Sequence, residues 1–533
     1  MPLRSVLLAS AASLAAVQAQ AFTLHVLHVN DVHSRIESIN AFDSTCSAED
    51  EAAGACFGGV ARIKAAVDAL RGELEAAGEN VIVLDAGDQF AGSLFFTTFA
   101  GAAEVEFMNA IGVDAMMLGN HEFDLGPGPL ADFIEAAEFP VIFGNVDAAG
   151  DNRLGPLARG PVILEVGGER VGIVGALTTD TAEISSPGPT IGFREVDAAL
   201  AEAVAALQAE GVEHIIALTH QGDLPDFATA AAVPGIDAIV GGHSHVLFSN
   251  AIEGATHPYP VMVAGPEGRE VPVVQAGAYS KYLGHLVLTF DENGVVAEAS
   301  GDTMLLDASV TPDLDVLARI AEMGAPIEAL KSQLVAEVGA DIDGGRETCR
   351  SGECQMGNLV AEAMLDRVKG QGVTIALQNG GGLRASIAAG AVTKGDVLSV
   401  LPFQNTLATF SIAGSGIVAA LENGLSQVEE GAGRFPQVAG LTLTWDPAAP
   451  PGERVREVNV RDGEAWSPID PAETYTVATN NFMRAGGDGY AVLRDEATNA
   501  YDFGPGMDDV LADYLVAHPG YVPFTDGRIA TVE

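Results

Sequence analysis

The sequence predicts an α/β protein of two domains. Three observations carry that expectation. The chain's 533 residues exceed the roughly 250–300 at which a single hydrophobic core stops growing. The first half alternates short apolar strand runs with Ala-rich helical stretches. Near Thr311 that rhythm gives way to one long helical stretch, after which new strands and helices begin. A hydrophobic fraction of 48% is ample for such cores and argues against disorder.

In chain order, residues 1–21 (MPLRSVLLASAASLAAVQAQA) read as a signal peptide. Arg4 supplies a sparse basic start, an apolar run follows, and Val17, Ala19 and Ala21 suit cleavage after Ala19 or Ala21. Short β-rich runs come next, at 22–29, 81–87, 115–120, 141–146, 171–177, 214–220 and 238–243, with helical patterns between them at 59–77, 103–111 and 197–210. Polar residues close most of the strand runs, and in α/β sheets reactive groups gather in the loops beyond strand ends. These elements make a first domain over 22–310. Residues 311–335 read as a connecting helix, with Pro326 inside it as a site for a kink. Residues 336–533 read as a second α/β domain.

Composition narrows the function. A net charge of −47 repels nucleic acid polymers and anionic membranes. A phosphate-bearing substrate would need metal or arginine concentrated locally. No stretch after the leader is apolar for long enough to span a bilayer, and the final TDGRIATVE lacks the hydrophobic tail of a GPI signal. The expectation is an exported protein, extracellular or periplasmic, without a membrane span or anchor. The four cysteines form two local pairs, Cys46/Cys56 and Cys349/Cys354. Even number, short spacing and export point to two disulfides; a zinc knuckle would need closer spacing and partner histidines.

Five segments carry the chemistry: Asn30-Asp31-Val32-His33, Asp85-Ala86-Gly87-Asp88, Gly119-Asn120-His121-Glu122, Thr219-His220-Gln221-Gly222 and Gly241-Gly242-His243-Ser244-His245. Each follows a strand run. A DxH or a lone His at a strand end is weak by itself. Jointly the segments offer imidazoles, a carboxylate able to bridge two cations, and the Asn/Asp oxygens that suit Zn²⁺, Mn²⁺ or similar ions. Such a pair of cations would make a water nucleophilic at neutral pH and neutralise phosphate oxygens.

The strings NDVHSR, LDAGDQF, GNHEFD and GGHSH, in this order, resemble the secreted 5′-nucleotidase family of calcineurin-like metallophosphoesterases, and the likeness runs from Phe22 to the C-terminus. The resemblance implies a four-layer αββα metallophosphoesterase domain, the connecting helix, and a C-terminal nucleotide-binding domain. It implies one divalent ion on Asp31, His33, Asp88 and His245, and a second on the bridging Asp88, Asn120, His220 and His243. Zn²⁺ is the first expectation, with Mn²⁺ or Co²⁺ as alternatives. His121 and Asp124 match the family's catalytic His-Asp pair. The position of His245 more often carries Asn or Gln in the family; imidazole is also a good ligand. The remaining histidines, His25, His28, His214, His257, His285 and His518, match no motif and read as structural or surface residues.

In the second half stand CRSGECQMGN (349–358), NGGGLR (379–384), LPF (401–403), and Asn481-Phe482 before GGDGY (486–490). Taken alone, such phenylalanines read as core and such arginines as surface. The resemblance assigns them differently: Phe403 and Phe482 would stack a base, each stack worth about 1–3 kcal/mol. Asp488 would bind ribose; Arg350, Asn379, Gly381 and Arg384 would bind the ribose or phosphate side; Arg35 would be a further candidate at the phosphate. In the family the second domain rotates against the first, with the connecting helix as the implied pivot. The function implied is hydrolysis of nucleoside 5′-monophosphates such as AMP to nucleoside and phosphate. The alternatives are a UDP-sugar or nucleoside diphosphate hydrolase, a 2′,3′-cyclic nucleotide phosphodiesterase, and, remotely, an inactive nucleotide-binding protein. The sequence leaves the oligomeric state open.

Overall fold

The computed structural model describes residues 22–532 apart from 41, 42, 44, 404, 464 and 503. The signal-peptide reading of residues 1–21 therefore lies outside the described residues. Two six-stranded sheets build the first domain. In one, Phe22–Val29, Asn80–Asp85, Ala115–Met117 and Val141–Ile142 run parallel, and Tyr282–Phe290 and Val296–Leu305 extend the sheet antiparallel beside Phe22–Val29. In the other, Glu169–Leu177, His214–His220, Ala238–Val240 and Glu270–Val274 run parallel between antiparallel edge strands Val162–Val166 and Val261–Ala264.

The central strands are buried along almost their whole length, which is why they read as unbroken apolar runs rather than alternations. The two sheets face each other, Ala115–Met117 lying against Glu169–Leu177 and His214–His220. Helices Val60–Ala77 and Ala102–Ile111 flank the first sheet; Val196–Ala209 and Asp223–Ala232 flank the second. The result is the four-layer stack of helix, sheet, sheet and helix, with one continuous core. The run expected over 141–146 divides into two short strands, Val141–Ile142 and Val146–Asp147, because Gly144 turns the chain with φ +58°.

The connecting helix spans Leu314–Lys331, with Pro326 inside it. Val316, Ile320, Met323 and Ile327 recur at spacings of three and four and are buried in the first domain's core. The helical reading of 311–335 runs too far at its end. Leu334–Val338 is a strand, paired antiparallel with Gly390–Thr393, and this pairing outweighs the local helical pattern.

The second domain centres on a five-stranded mixed sheet, ordered Pro436–Ala439, Ile375–Asn379, Thr474–Asn480, Leu407–Ala413 and Thr498–Tyr501. Side chains alternate across it. Ala376, Ala439 and Ala478 face one core, under helices Gln355–Val368 and Met507–Ala517; Leu377, Val438 and Val477 face the other. Small alanines on the first face admit the close approach of Gln355–Val368. A four-stranded sheet of Ala465–Pro468, Val455–Asp462, Leu441–Trp445 and Ile529–Thr531 completes the domain. Cys46–Cys56 and Cys349–Cys354 are both disulfide-bonded. Among the described residues, no helix is long and apolar enough to cross a membrane.

Candidate active site

Because the central strands run parallel in both facing sheets, their C-terminal ends meet at one edge of the sandwich. Asp31 and His33 lie just beyond Phe22–Val29, Asp88 beyond Asn80–Asp85, Asn120 beyond Ala115–Met117, and His243 and His245 beyond Ala238–Val240. His220 is the last residue of its strand. The backbone there is wound tightly: Asp31, His33, Asp88, His243 and His245 hold φ between +50° and +81°, a region that costs a non-glycine residue about 1 kcal/mol or more and clusters at functional sites. Gly119 admits a close approach, since a Cβ there would lie 2.2 Å from Asp88 Oδ1. Buried Glu122 ties the loops together by accepting the backbone N–H groups of Asp88 (3.0 Å), Gln89 (2.8 Å), Phe90 (3.1 Å) and Gly119 (2.6 Å).

Two donor sets with no residue in common result, Asp31/His33/His245 and Asp88/His220/His243, and His33, Asp88 and His121 form a third that overlaps both; the ligand atoms of each set lie within 4.8 Å of one another. His33 Nε2 is 2.9 Å from His245 Nε2, 3.8 Å from Asp31 Oδ1 and 3.7 Å from Asp88 Oδ2. His245 Nε2 is 3.2 Å from Asp31 Oδ1, so this side chain points into the cluster. His220 Nε2 is 3.1 Å from Asp88 Oδ2, and His243 Nδ1 is 2.9 Å from Asn120 Oδ1. Backbone carbonyls fix two of the imidazoles: Ala86 O lies 2.6 Å from His220 Nδ1, and Phe90 O lies 3.2 Å from His33 Nδ1. With Nδ1–H donated to these carbonyls, Nε2 is the atom each ring turns towards the cluster, and it presents a lone pair when the ring is neutral.

Burial dominates the electrostatics. It pushes the Asp31 carboxyl up to about 6 against the pull of His220. For His220 burial works downward but is outweighed by Asp88 and Asp31, which raise it to about 10. Burial would raise Asp88, yet His220 and His121 together hold it well below the usual carboxylate range. His33, His243 and His245 are all pushed down, chiefly by burial and by neighbouring cations. His121 is raised: burial opposes this, and Asp124 and Asp88 overcome it.

His121 Nδ1 lies 2.6 Å from Asp124 Oδ2, and Ser185 Oγ donates to the other carboxylate oxygen at 2.8 Å. From this pair a cleft of about 460 Å³ opens between the domains. Asp88, Asn120, His121, Asp124, His243 and His245 line one wall; Arg350, Asn379, Gly381, Arg384, Phe403, Phe482 and Asp488 line the other. Asp31, His33 and His220 lie beneath the first wall, fully buried. Arg384 Nη2 reaches His33 Nε2 at 3.3 Å. Asn379 Nδ2 donates to Asp488 Oδ2 at 2.5 Å, Asp488 itself sitting at φ +54°. Arg350 follows directly on the bridged Cys349 and bonds Gly431 O at 3.3 Å.

Arg35 is not brought to this cleft. It is buried behind the donor cluster, its guanidinium carbon 5.1 Å from the Tyr279 ring centre, lining a small hollow with Asp43, Ser93 and Ser399. Arg346, Tyr279 and Ser185 are among the residues at the site that stand outside the sequence motifs. Arg346 lines the cleft, and its place three residues before Cys349 is the available signal. Tyr279 packs against His33 and His245 with ring centres at 5.7 and 5.1 Å; it too follows a strand, Glu270–Val274. Ser185 carries no signal. The histidines outside the motifs pair elsewhere: His25 with His285, His28 with Tyr259, His257 with Asp223, His518 with Tyr514, while His214 packs between Phe22 and Phe290.

Residues 24–247 match the calcineurin-like phosphoesterase family, and residues 333–495 match the 5′-nucleotidase C-terminal domain. The chain is 35% identical to the snake venom 5′-nucleotidase of Gloydius brevicauda, over 96% of this chain and 89% of that protein. It is also 35% identical to the 5′-nucleotidase of Homo sapiens, over 96% and 91%. The crystal structure of the 5′-nucleotidase precursor from Thermus thermophilus superposes with a TM-score of 0.90 at 40% identity, covering 96% of this chain and 99% of that one.

Proposed function

The chain belongs to the 5′-nucleotidase family of calcineurin-like phosphoesterases, and from that premise we propose that it hydrolyses nucleoside 5′-monophosphates such as AMP, outside the cytoplasm, with two divalent ions. Membership makes it a metal-dependent hydrolase of nucleotide phosphoesters. The finer reading rests on one juxtaposition: two Asp/His donor sets face a wall of arginines, two phenylalanines and an aspartate across a cleft of nucleotide size.

The donor chemistry fits divalent metal. The two Nε2 atoms of His33 and His245, 2.9 Å apart beside a carboxylate, are groups whose lone pairs need a shared cation. Asp31, His33, Asp88 and His245 would hold one ion, and Asp88, Asn120, His220 and His243 the other, with Zn²⁺ the first choice. Bound there, the metals supply the Lewis acidity that activates water and offsets charge on phosphate oxygens.

The chain's own groups do the rest. His121, oriented through Nδ1 by Asp124, keeps Nε2 available to donate to a phosphate oxygen as negative charge develops. Arg350 and Arg384 supply guanidinium forks for the phosphate or ribose side. Phe403 and Phe482 offer faces to a base, and Asp488 accepts from ribose hydroxyls. The leader-like N-terminus and the two disulfides support export. Phosphate release from AMP, ADP, ATP, UDP-glucose, 2′,3′-cyclic AMP and bis-nitrophenyl phosphate tests the reading. Preference for AMP is the expected result; a dominant rate on UDP-glucose or on a diester would overturn it.

A further inference from the structure

The His121–Asp124 pair does not end at Asp124. Its second carboxylate oxygen accepts the hydroxyl of Ser185 at 2.8 Å, and this bond spans 61 residues of chain. Ser185 closes the short helix Thr181–Ile184. That helix is anchored at its start: Thr181 Oγ1 donates to Thr178 O at 2.8 Å, and Thr178 N–H donates to the carbonyl of His220 at 2.9 Å. Its other neighbour belongs to the second domain: the turn Gly487–Gly489, which carries Asp488, lies against it. The turn has little freedom. Asp488 sits at φ +54°, and a Cβ on Gly487 would lie 2.4 Å from the Phe482 ring. A line of contacts therefore runs from the turn, through the helix, to Ser185, Asp124 and His121.

We propose that Ser185 is a positioning residue for His121, acting through Asp124, and that it passes the docking of the second domain's Gly487–Gly489 turn to that pair. This rests on the role of His121 and Asp124 given above. A carboxylate held at one oxygen by an imidazole can still pivot about its own bond; the Ser185 hydroxyl fixes the other oxygen and so the plane of the group. Because Ser185 ends the helix on which the turn rests, the carboxylate is best aligned when the second domain is seated.

The test uses the metal-loaded full chain with AMP. Ser185→Ala is expected to lower kcat about tenfold, with KM within about twofold and metal content and melting temperature unchanged. Ser185→Thr, which keeps the hydroxyl, is expected to restore most of the rate. In an Asp124→Ala background, Ser185→Ala should cause no further loss; two losses that multiply would overturn the proposal. The downfield proton resonance of the His121–Asp124 bond, identified by its loss in His121→Ala, should sharpen when adenosine is added to the wild type and not in Ser185→Ala. An equal response in both proteins would overturn the link to domain seating. If His121→Ala and Asp124→Ala leave kcat intact, the role given to the pair fails, which is a separate outcome from additivity of the Ser185 and Asp124 effects.

Discussion

Phe403 stacks on His121, the ring centres 5.8 Å apart and the planes inclined by 19°. One ring comes from the second domain and the other from the first. The sequence motifs give Phe403 and Phe482 the same task of gripping a base, yet their surroundings differ. Phe403 packs against the first domain's core, with Arg384 over its ring at 5.5 Å. Phe482 packs within the second domain.

The two phenylalanines should therefore separate on substitution. Phe482→Ala is expected to raise KM for AMP roughly five- to 150-fold, the value of one stack of about 1–3 kcal/mol, and to leave nitrophenyl phosphate nearly unaffected. Phe403→Ala should also lower kcat on both substrates, because His121 loses the surface that restrains its ring. Steady-state kinetics on both substrates, with melting temperatures as a control for folding, decide this. Identical profiles for the two variants would refute the distinction.

Neighbouring histidines should likewise part company. His220→Ala removes a donor and is expected to reduce the bound metal, measured by elemental analysis. His121→Ala should leave metal content intact and cut turnover by roughly 10²–10⁴. Chelation should abolish activity in the wild type, with Zn²⁺, Mn²⁺ or Co²⁺ restoring it.

The Cys349–Cys354 bridge fixes the loop from which Arg350 enters the cleft. Replacing both cysteines with serine should raise KM for AMP more than for nitrophenyl phosphate. Equal losses on the two substrates would show that the bridge serves folding alone.

Asp237 offers a pH test away from the donor cluster. It is buried, accepts the Ile215 N–H at 2.8 Å, and burial raises its carboxyl to about 7. The unfolded chain gives up this proton near pH 4 and the folded chain only near 7. Ionisation thus favours the unfolded state, and stability falls as pH rises between those values, by up to about 1.4 kcal/mol per unit. Buried Glu104 and Asp226 are raised to about the same value, so Asp237→Asn should show a shallower decline than the wild type. Urea unfolding of both proteins at several pH values between 4 and 7.5 reads the difference directly.

Much of the site is legible in the sequence because one rule governs it. Buried parallel strands end in loops on a common edge, so Asp31, Asp88, Asn120, His220 and His243 stand out as polar residues directly after apolar runs. The order of the strands in each sheet carries no such local mark. Ser185 is invisible for a related reason: a serine in a polar loop gains meaning only when the fold brings it to Asp124. Arg35 misleads in the opposite direction. It follows the NDVH segment closely, but the turn after His33 sends it behind the cluster to Tyr279. The helical pattern over 311–335 overruns the helix because Leu334 and Val335 suit helix and strand alike, and Gly390–Thr393 decides between them.

Arg346, Arg350 and Arg384 line one wall of the cleft in a chain of net charge −47. Arg350 and Arg384 are buried, and the group is crowded enough that burial and mutual repulsion weaken the hold of Arg346 and Arg350 on their protons. An approaching nucleotide therefore meets two fields of opposite sign. At a distance the whole protein repels it; within the cleft the guanidinium groups attract it. Salt screens the long-range repulsion first, since the Debye length is already about 10 Å at 0.1 M, and weakens the short-range attraction only at higher concentration. Apparent affinity for AMP should pass through an optimum in ionic strength instead of falling steadily. An enzyme with this surface would gain efficiency from moderate salinity.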